Sequence, residues 1–202
     1  MQPLGRVLAC ALTLAALAAA ACGGDPAPPI GGSPDQPLPP LNYSLNTDPG
    51  PAPAPAIDPN APPLDLRITK SMLYAAAIEH GVNPNLVFGL AWWESGWNES
   101  AVSSAGAIGI MQIMPATADT AGPWLLHRKV DLTDINDNIE LGCAIIRNNL
   151  DTYHGDLVKA LTDYYGGPSL VTDWDHLRPD ARRYVWGIYH LALAWQAGHG
   201  PV

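Results

Sequence analysis

The chain has 202 residues, 48% of them hydrophobic and 14% charged, with 21 prolines and a formal net charge of −9. Fourteen prolines fall in residues 23–64 and six in residues 65–202, so a Pro-rich stretch precedes a foldable remainder of 138 residues, enough for one hydrophobic core. That remainder carries 15 acidic and 9 basic residues, and the lack of a basic surplus argues against a nucleic-acid partner.

Residues 1–21 read as an export signal. Arg6 is the only charged side chain before Asp25, and an apolar run from Val7 to Ala21 ends in small residues. The run is short for a transmembrane span, which needs roughly 20 apolar residues, so a short uncleaved anchor is the competing reading. Leu17-Ala18-Ala19-Ala20-Ala21-Cys22-Gly23-Gly24 resembles the lipobox of bacterial lipoproteins. The resemblance implies cleavage before Cys22 and lipidation of its thiol, which would anchor the chain to a membrane. Ala19 stands where Leu is usual, and an ordinary Ala-x-Ala cleavage giving a secreted protein is the alternative. With Cys10 removed and Cys22 used, Cys143 has no disulfide partner. It sits among Leu141, Ile145 and Ile146 and reads as a small buried hydrophobe rather than a nucleophile.

Residues 22–64 read as a linker. Their Pro, Ala, Gly, Asn and Asp cannot bury enough apolar surface to offset the entropy of ordering. The Pro-Ala alternation at 51–56 favours an extended chain, whose reach over the whole segment is at most about 130 Å. A tether above a bilayer is the simpler reading, and a ligand for an aromatic-lined groove is the other.

Residues 65–202 read as a single, mainly α domain. Thr69 is the expected N-cap of a first helix from Lys70 to His80, stopped by Gly81. Asn83-Pro84 starts a second helix to about Ser95, apolar nearly all round and therefore central. Residues 98–110 lack periodicity and read as a loop. Pro115 opens a short helix to about Ala121, and residues 136–153 form a long amphipathic one. Asp156 caps a fifth helix from Leu157 to Tyr165, and Pro179 starts the last. No β-alternation and no internal repeat is present.

Phosphate-binding loops, dinucleotide fingerprints, HExxH and CxxC pairs are absent, so no cofactor or metal is expected. The acidic stretch Asp131 to Glu140 fails as a calcium loop, because Ile139 replaces the turn glycine and Ile145 the bidentate glutamate. Glu94 is the only charged residue between Gly81 and Asn98. Val87, Leu90 and Ala91 share its helix face, and Trp93 and Trp97 flank it. Such surroundings disfavour the carboxylate and keep the acid protonated near neutral pH, as a general acid requires. A helix-end glutamate reaching solvent is the plainer alternative.

The residues around it narrow the choice. Glu94-Ser95-Gly96-Trp97-Asn98, Ala101-x-Ser103 and Gly106-Ala107-x-Gly109-Ile110-Met111-Gln112-Ile113-Met114-Pro115 resemble the lytic transglycosylases of the goose-type-lysozyme-like superfamily. Asn138-Ile139-x-x-Gly142, Tyr153-His154-Gly155-Asp156, Tyr164, Gly167-Pro168 and Arg182-x-Tyr184-Val185 continue the resemblance in order over about residues 70–190. It implies a lysozyme-like helical fold and peptidoglycan glycan strands as substrate. It implies Glu94 as the single catalytic acid and base, and Ser103 as the residue that positions the sugar N-acetyl group. Gln112 and Met114 then line the cleft, Tyr164 reaches the glutamate or the sugar, and Tyr184 is a second active-site tyrosine. Trp92, Trp93 and Trp97 read as core rather than as sugar platforms. The family pattern has Asn where this chain has Tyr165, which leaves subsite detail open.

The implied reaction uses one carboxyl where ordinary glycosidases use two. The expected product ends in 1,6-anhydro-N-acetylmuramic acid, and the expected form is a monomer held to a membrane through Cys22. The alternatives are a hydrolytic muramidase and a non-catalytic cell-wall-binding lipoprotein.

Overall fold

The structure, a computed structural model, describes residues 66–201. The signal-like segment, Cys22 and the Pro-rich linker lie outside the described residues. Six α-helices carry the described part: α1 (Leu66–Glu79), α2 (Pro84–Ser95), α3 (Pro115–Ala121), α4 (Ile135–Thr152), α5 (Leu157–Gly166) and α6 (Pro179–Gln196). A π-helical turn, Gly122–Leu126, extends α3, and two short 3₁₀ turns, Pro168–Leu170 and Trp174–His176, join α5 to α6. Among the described residues there is no strand, only isolated bridges from Ile108 to Val102 and to Ile113. The expected mainly α class is the observed one.

The caps explain most helix starts. The Asn83 side chain accepts a hydrogen bond from the Asn85 amide at 2.8 Å, with Pro84 in the first turn. Asp134 accepts from the amides of Asn136 at 2.8 Å and Asp137 at 3.2 Å, and Asp156 accepts from Lys159 at 3.1 Å. The other acids of the Asp131–Glu140 stretch are engaged too: Arg128 pairs with Asp137 and Glu140, and Asp131 accepts from the amide and hydroxyl of Thr133 at 2.9 and 2.7 Å. Thr69 is not a cap. It lies inside α1, 4% exposed, because Leu66 packs on the core and carries the helix a turn further back.

α2 is the central element, with nine of its twelve residues buried. It packs most extensively on α6 and also on α1, while α5 bridges α4 and α6. The α2–α6 approach is close because two glycines face it. A Cβ on Gly89 would lie 2.8 Å from the Ile188 carbonyl oxygen, and one on Gly187 would lie 1.8 Å from Cζ3 of Trp93. Trp97, fully buried, stacks on Trp195 at 5.4 Å and donates its ring N–H to the Phe88 carbonyl at 3.2 Å. Trp92 meets Trp97 and Trp195 edge-on. These rings hold the helix pair together, as the core reading expected. Cys143 is fully buried, and burial pushes its thiol pKa far up, so it is inert near neutral pH.

Gly187→Ala is expected to destabilise the fold by about 1–3 kcal/mol, the usual range for overpacking a filled core. Urea unfolding monitored by circular dichroism checks this as a lowered midpoint at unchanged slope.

Candidate active site

Glu94 lies in the last turn of α2, just before the Gly96 cap, whose amide donates to the Trp92 carbonyl at 2.8 Å. The chain then turns sharply through Trp97 (φ 64°) into an irregular segment that reaches Met114. Turns and isolated bridges satisfy part of this segment's backbone, and side chains satisfy more of it. Ser95 Oγ donates to the Ile110 carbonyl at 2.8 Å and accepts from the Asn98 amide at 3.1 Å.

Asn138, 1% exposed in the first turn of α4, holds the far half of the segment. Its Oδ1 accepts from the Met111 amide at 2.9 Å, and its Nδ2 donates to the carbonyls of Ile108 at 2.9 Å and Leu132 at 3.0 Å. A Cβ on Gly109 (φ 78°) would lie 2.3 Å from that Nδ2, so only glycine fits beside it. The motif contains Asn138, but its role as a clamp escaped the sequence. A polar residue among the apolar positions at the start of an amphipathic helix is the signal that could have marked it.

The clamped segment faces Glu94 across a cleft of about 340 Å³. Ser103, Gln112, Met114 and Tyr164 line this cleft with Glu94, and so do Thr117, Ile145 and Tyr165. Gln112 has a strained backbone (φ 49°), and its amide donates to the carbonyls of Gly109 at 2.8 Å and Ala101 at 3.2 Å. Ser103 Oγ accepts from the Ala107 amide at 3.0 Å, which leaves its hydroxyl proton available to a ligand.

Tyr184 stands apart from this set. It does not line the cleft; it lies behind Glu94, 3% exposed, and donates its hydroxyl to Glu94 Oε1. The contact with the glutamate that Tyr164 was one candidate to make is therefore made by Tyr184. The Tyr164 hydroxyl donates instead to the Met111 carbonyl at 3.0 Å and braces the clamped segment.

Burial pushes the Glu94 pKa up to about 7, and the Tyr184 hydrogen bond, which favours the carboxylate, offsets part of that rise. Burial also holds the phenols of Tyr164 and Tyr184 well above their ordinary value, so both stay protonated and neutral beside it. Glu94 is the only carboxyl among the residues lining the cleft. Glu99 is exposed, Asp163 accepts from the Tyr153 hydroxyl at 2.9 Å, and Asp180 is held by Arg178 and Tyr165. The site can deliver one proton at neutral pH and take it back, but it lacks the carboxylate pair of ordinary glycosidases.

Tyr184→Phe removes the bond that favours the charged form, so Glu94 is expected to titrate above its wild-type midpoint near 7 when followed by NMR of the side-chain carboxyl. A carboxyl that binds its proton more tightly folded than unfolded stabilises the fold below about pH 4.5, and that contribution is lost as pH rises through about 7. Glu94→Gln is expected to flatten this part of the stability profile, measured by denaturant unfolding across the same window.

Comparison with known proteins places this site in a family. The model of the transglycosylase SLT domain matches residues 71–186. A transglycosylase of Enterobacteria phage PRD1 is 41% identical over 93 residues, covering 46% of this chain and 32% of the relative. Membrane-bound lytic murein transglycosylase C of Edwardsiella ictaluri (strain 93-146) is 31% identical over 122 residues, covering 54% of this chain and 34% of the relative. The chain thus spans about a third of the length of these curated relatives. The crystal structure of the lytic transglycosylase Slt from Pseudomonas aeruginosa, an inactive glutamate-to-glutamine mutant, superposes with a TM-score of 0.55 at 25% identity, over 65% of this chain and 24% of that one. The matched domain holds Glu94 and every residue that lines its cleft, and the chain belongs to the transglycosylase SLT domain family.

Proposed function

We propose that this protein is a peptidoglycan lytic transglycosylase that cleaves the β-1,4 bond between N-acetylmuramic acid and N-acetylglucosamine and leaves a 1,6-anhydro-N-acetylmuramic acid end. The observation that carries this reading is the single carboxyl, Glu94, half-buried in a cleft lined by no second one, with burial pushing its pKa up to about 7. The names of the phage and Edwardsiella relatives support it.

Glu94 donates its proton to the glycosidic oxygen as the C1–O bond breaks. Positive charge then develops at C1, where the substrate's own acetamide oxygen stabilises it. The Glu94 carboxylate next takes the proton from the C6 hydroxyl of the same sugar, O6 bonds to C1, and the acid is regenerated. No water is consumed. Tyr184 donates to the carboxylate while it is charged and holds the other oxygen toward the cleft. Ser103 offers its hydroxyl proton to the acetamide carbonyl. Gln112, tied to two backbone carbonyls, and Met114 form the wall that fixes the sugar, and Tyr164 keeps that wall in place.

Residues 65–202 form the catalytic domain in this reading. Residues 22–64 are its tether, and lipidated Cys22 holds a monomer at the extracytoplasmic face of a membrane. The name of the Edwardsiella relative, a membrane-bound enzyme, supports this placement.

Digestion of purified sacculi with the full chain in oxygen-18 water is expected to give fragments one water lighter than a lysozyme digest and free of label. Label in most reducing ends would move the assignment to a muramidase. Glu94→Gln keeps the shape of the side chain and removes its proton, so turnover is expected to fall by about 10² or more with the fold retained. Cys22→Ala is expected to move the protein from the membrane fraction to the soluble extracytoplasmic fraction, read by fractionation and immunoblotting.

A further inference from the structure

Tyr165 occupies the position where the family pattern carries Asn, and its surroundings show what the larger side chain does. It lines the same cleft as Glu94 and remains 40% exposed, one of the few large side chains so open. It is nevertheless held at two points. Its ring packs on that of Tyr184 with centroids 4.6 Å apart and planes at 34°. Its hydroxyl donates to Asp180 Oδ2 at 3.1 Å. Asp180 is itself oriented by a bidentate pair with Arg178, Nε to Oδ1 at 3.2 Å and Nη2 to Oδ2 at 2.6 Å. That pair is exposed and contributes little to stability, but two parallel bonds fix the direction of the carboxylate. The ring is thus an exposed apolar surface held beside the cleft at two points.

We propose that Tyr165 is an anchored aromatic platform for the pyranose ring bound beside Glu94, with Asp180 and Arg178 as its anchor. The proposal rests on the glycan-cleaving reading above and adds a specificity residue to it. One face of a pyranose presents C–H groups, which are apolar and slightly positive, and an aromatic face is apolar and slightly negative. An asparagine here would offer hydrogen bonds and no such surface. Because the ring is already fixed, little side-chain freedom is lost when the sugar binds. Tyr165 also touches Tyr184, which bonds Glu94, so a second role in positioning the acid has to be separated by the test.

The test uses the full chain and soluble uncrosslinked glycan strands. Tyr165→Ala is expected to raise KM about tenfold with kcat within about twofold and the pH profile unmoved. Tyr165→Leu keeps apolar bulk against Tyr184 without the flat face, and the same rise is expected. Tyr165→Phe and Asp180→Asn keep the ring and loosen its anchor, and about threefold is expected from each. Thermal melts exclude variants that fail to fold, and Tyr165→Leu alone then decides. An unchanged KM in Tyr165→Ala or Tyr165→Leu overturns the proposal. So does a fall in kcat with a shifted pH profile at constant KM, which would assign Tyr165 to positioning Tyr184. If the wild-type chain does not cleave the strands, the glycan-cleaving reading fails by itself. Calorimetric binding of the same strands then decides for Tyr165: a tenfold loss in Tyr165→Ala supports the platform, and equal affinity or no wild-type binding overturns it.

Discussion

The approach of α2 to α6 through Gly89 and Gly187 sets the chemistry of this molecule. With a side chain at either position, the Ile188 carbonyl or the Trp93 ring would have to move, and the helices would separate. With glycine, Trp93 seats on Gly187 and turns its edge to Tyr184, which in turn brings its hydroxyl to Glu94. The acid therefore owes its properties to packing. A glutamate in the last turn of an isolated helix would be solvated and ionised at neutral pH. Here burial between two helices raises its pKa to about 7, and a neutral phenol that is hard to ionise partly offsets the rise.

The opposite wall is built on a different principle. The segment from Trp97 to Met114 has little regular structure, and two of its non-glycine residues, Trp97 and Gln112, adopt positive φ. Each such conformation costs about 1–3 kcal/mol and persists only where the surroundings enforce it. Ser95 and Asn138 enforce it by satisfying backbone groups that no helix reaches. Asn98 and Ile110 are thereby tied to α2, and Ile108 and Met111 to α4. A wall held this way keeps its donors in place without the entropy loss of ordering a mobile loop on binding. Tyr164, on α5, adds a third tie through the Met111 carbonyl.

Acid and wall are each held by buried contacts that depend on one another. Tyr165 differs. Its ring is exposed, and its anchor, the Arg178–Asp180 pair, lies at the surface. A change here alters the surface that the cleft presents. Tyr165 faces the cleft on one side and packs on Tyr184, the partner of Glu94, on the other.

Much of this was legible in the amino-acid order, because local chemistry governs it. Asn83-Pro84, Asp134 and Asp156 start helices through hydrogen bonds that span two or three residues. The apolar environment of Glu94 is likewise written in its own helix, by Val87, Leu90 and Ala91. Thr69 was misread as a cap because a local preference yielded to the packing of Leu66. The partner of Glu94 was beyond local reasoning altogether. Tyr184 lies 90 residues further on, and whether it or Tyr164 meets the carboxyl depends on how closely α6 approaches α2. The same holds for Asn138, which clamps a segment some 27 to 30 residues before it. Sequence determined most of the helices, the apolar setting of Glu94 and its grouping with Ser103, Gln112, Met114 and Tyr164; tertiary structure decided that Tyr184 lies behind the acid instead of lining the cleft, and which residue holds the wall, because those contacts form only when distant elements pack.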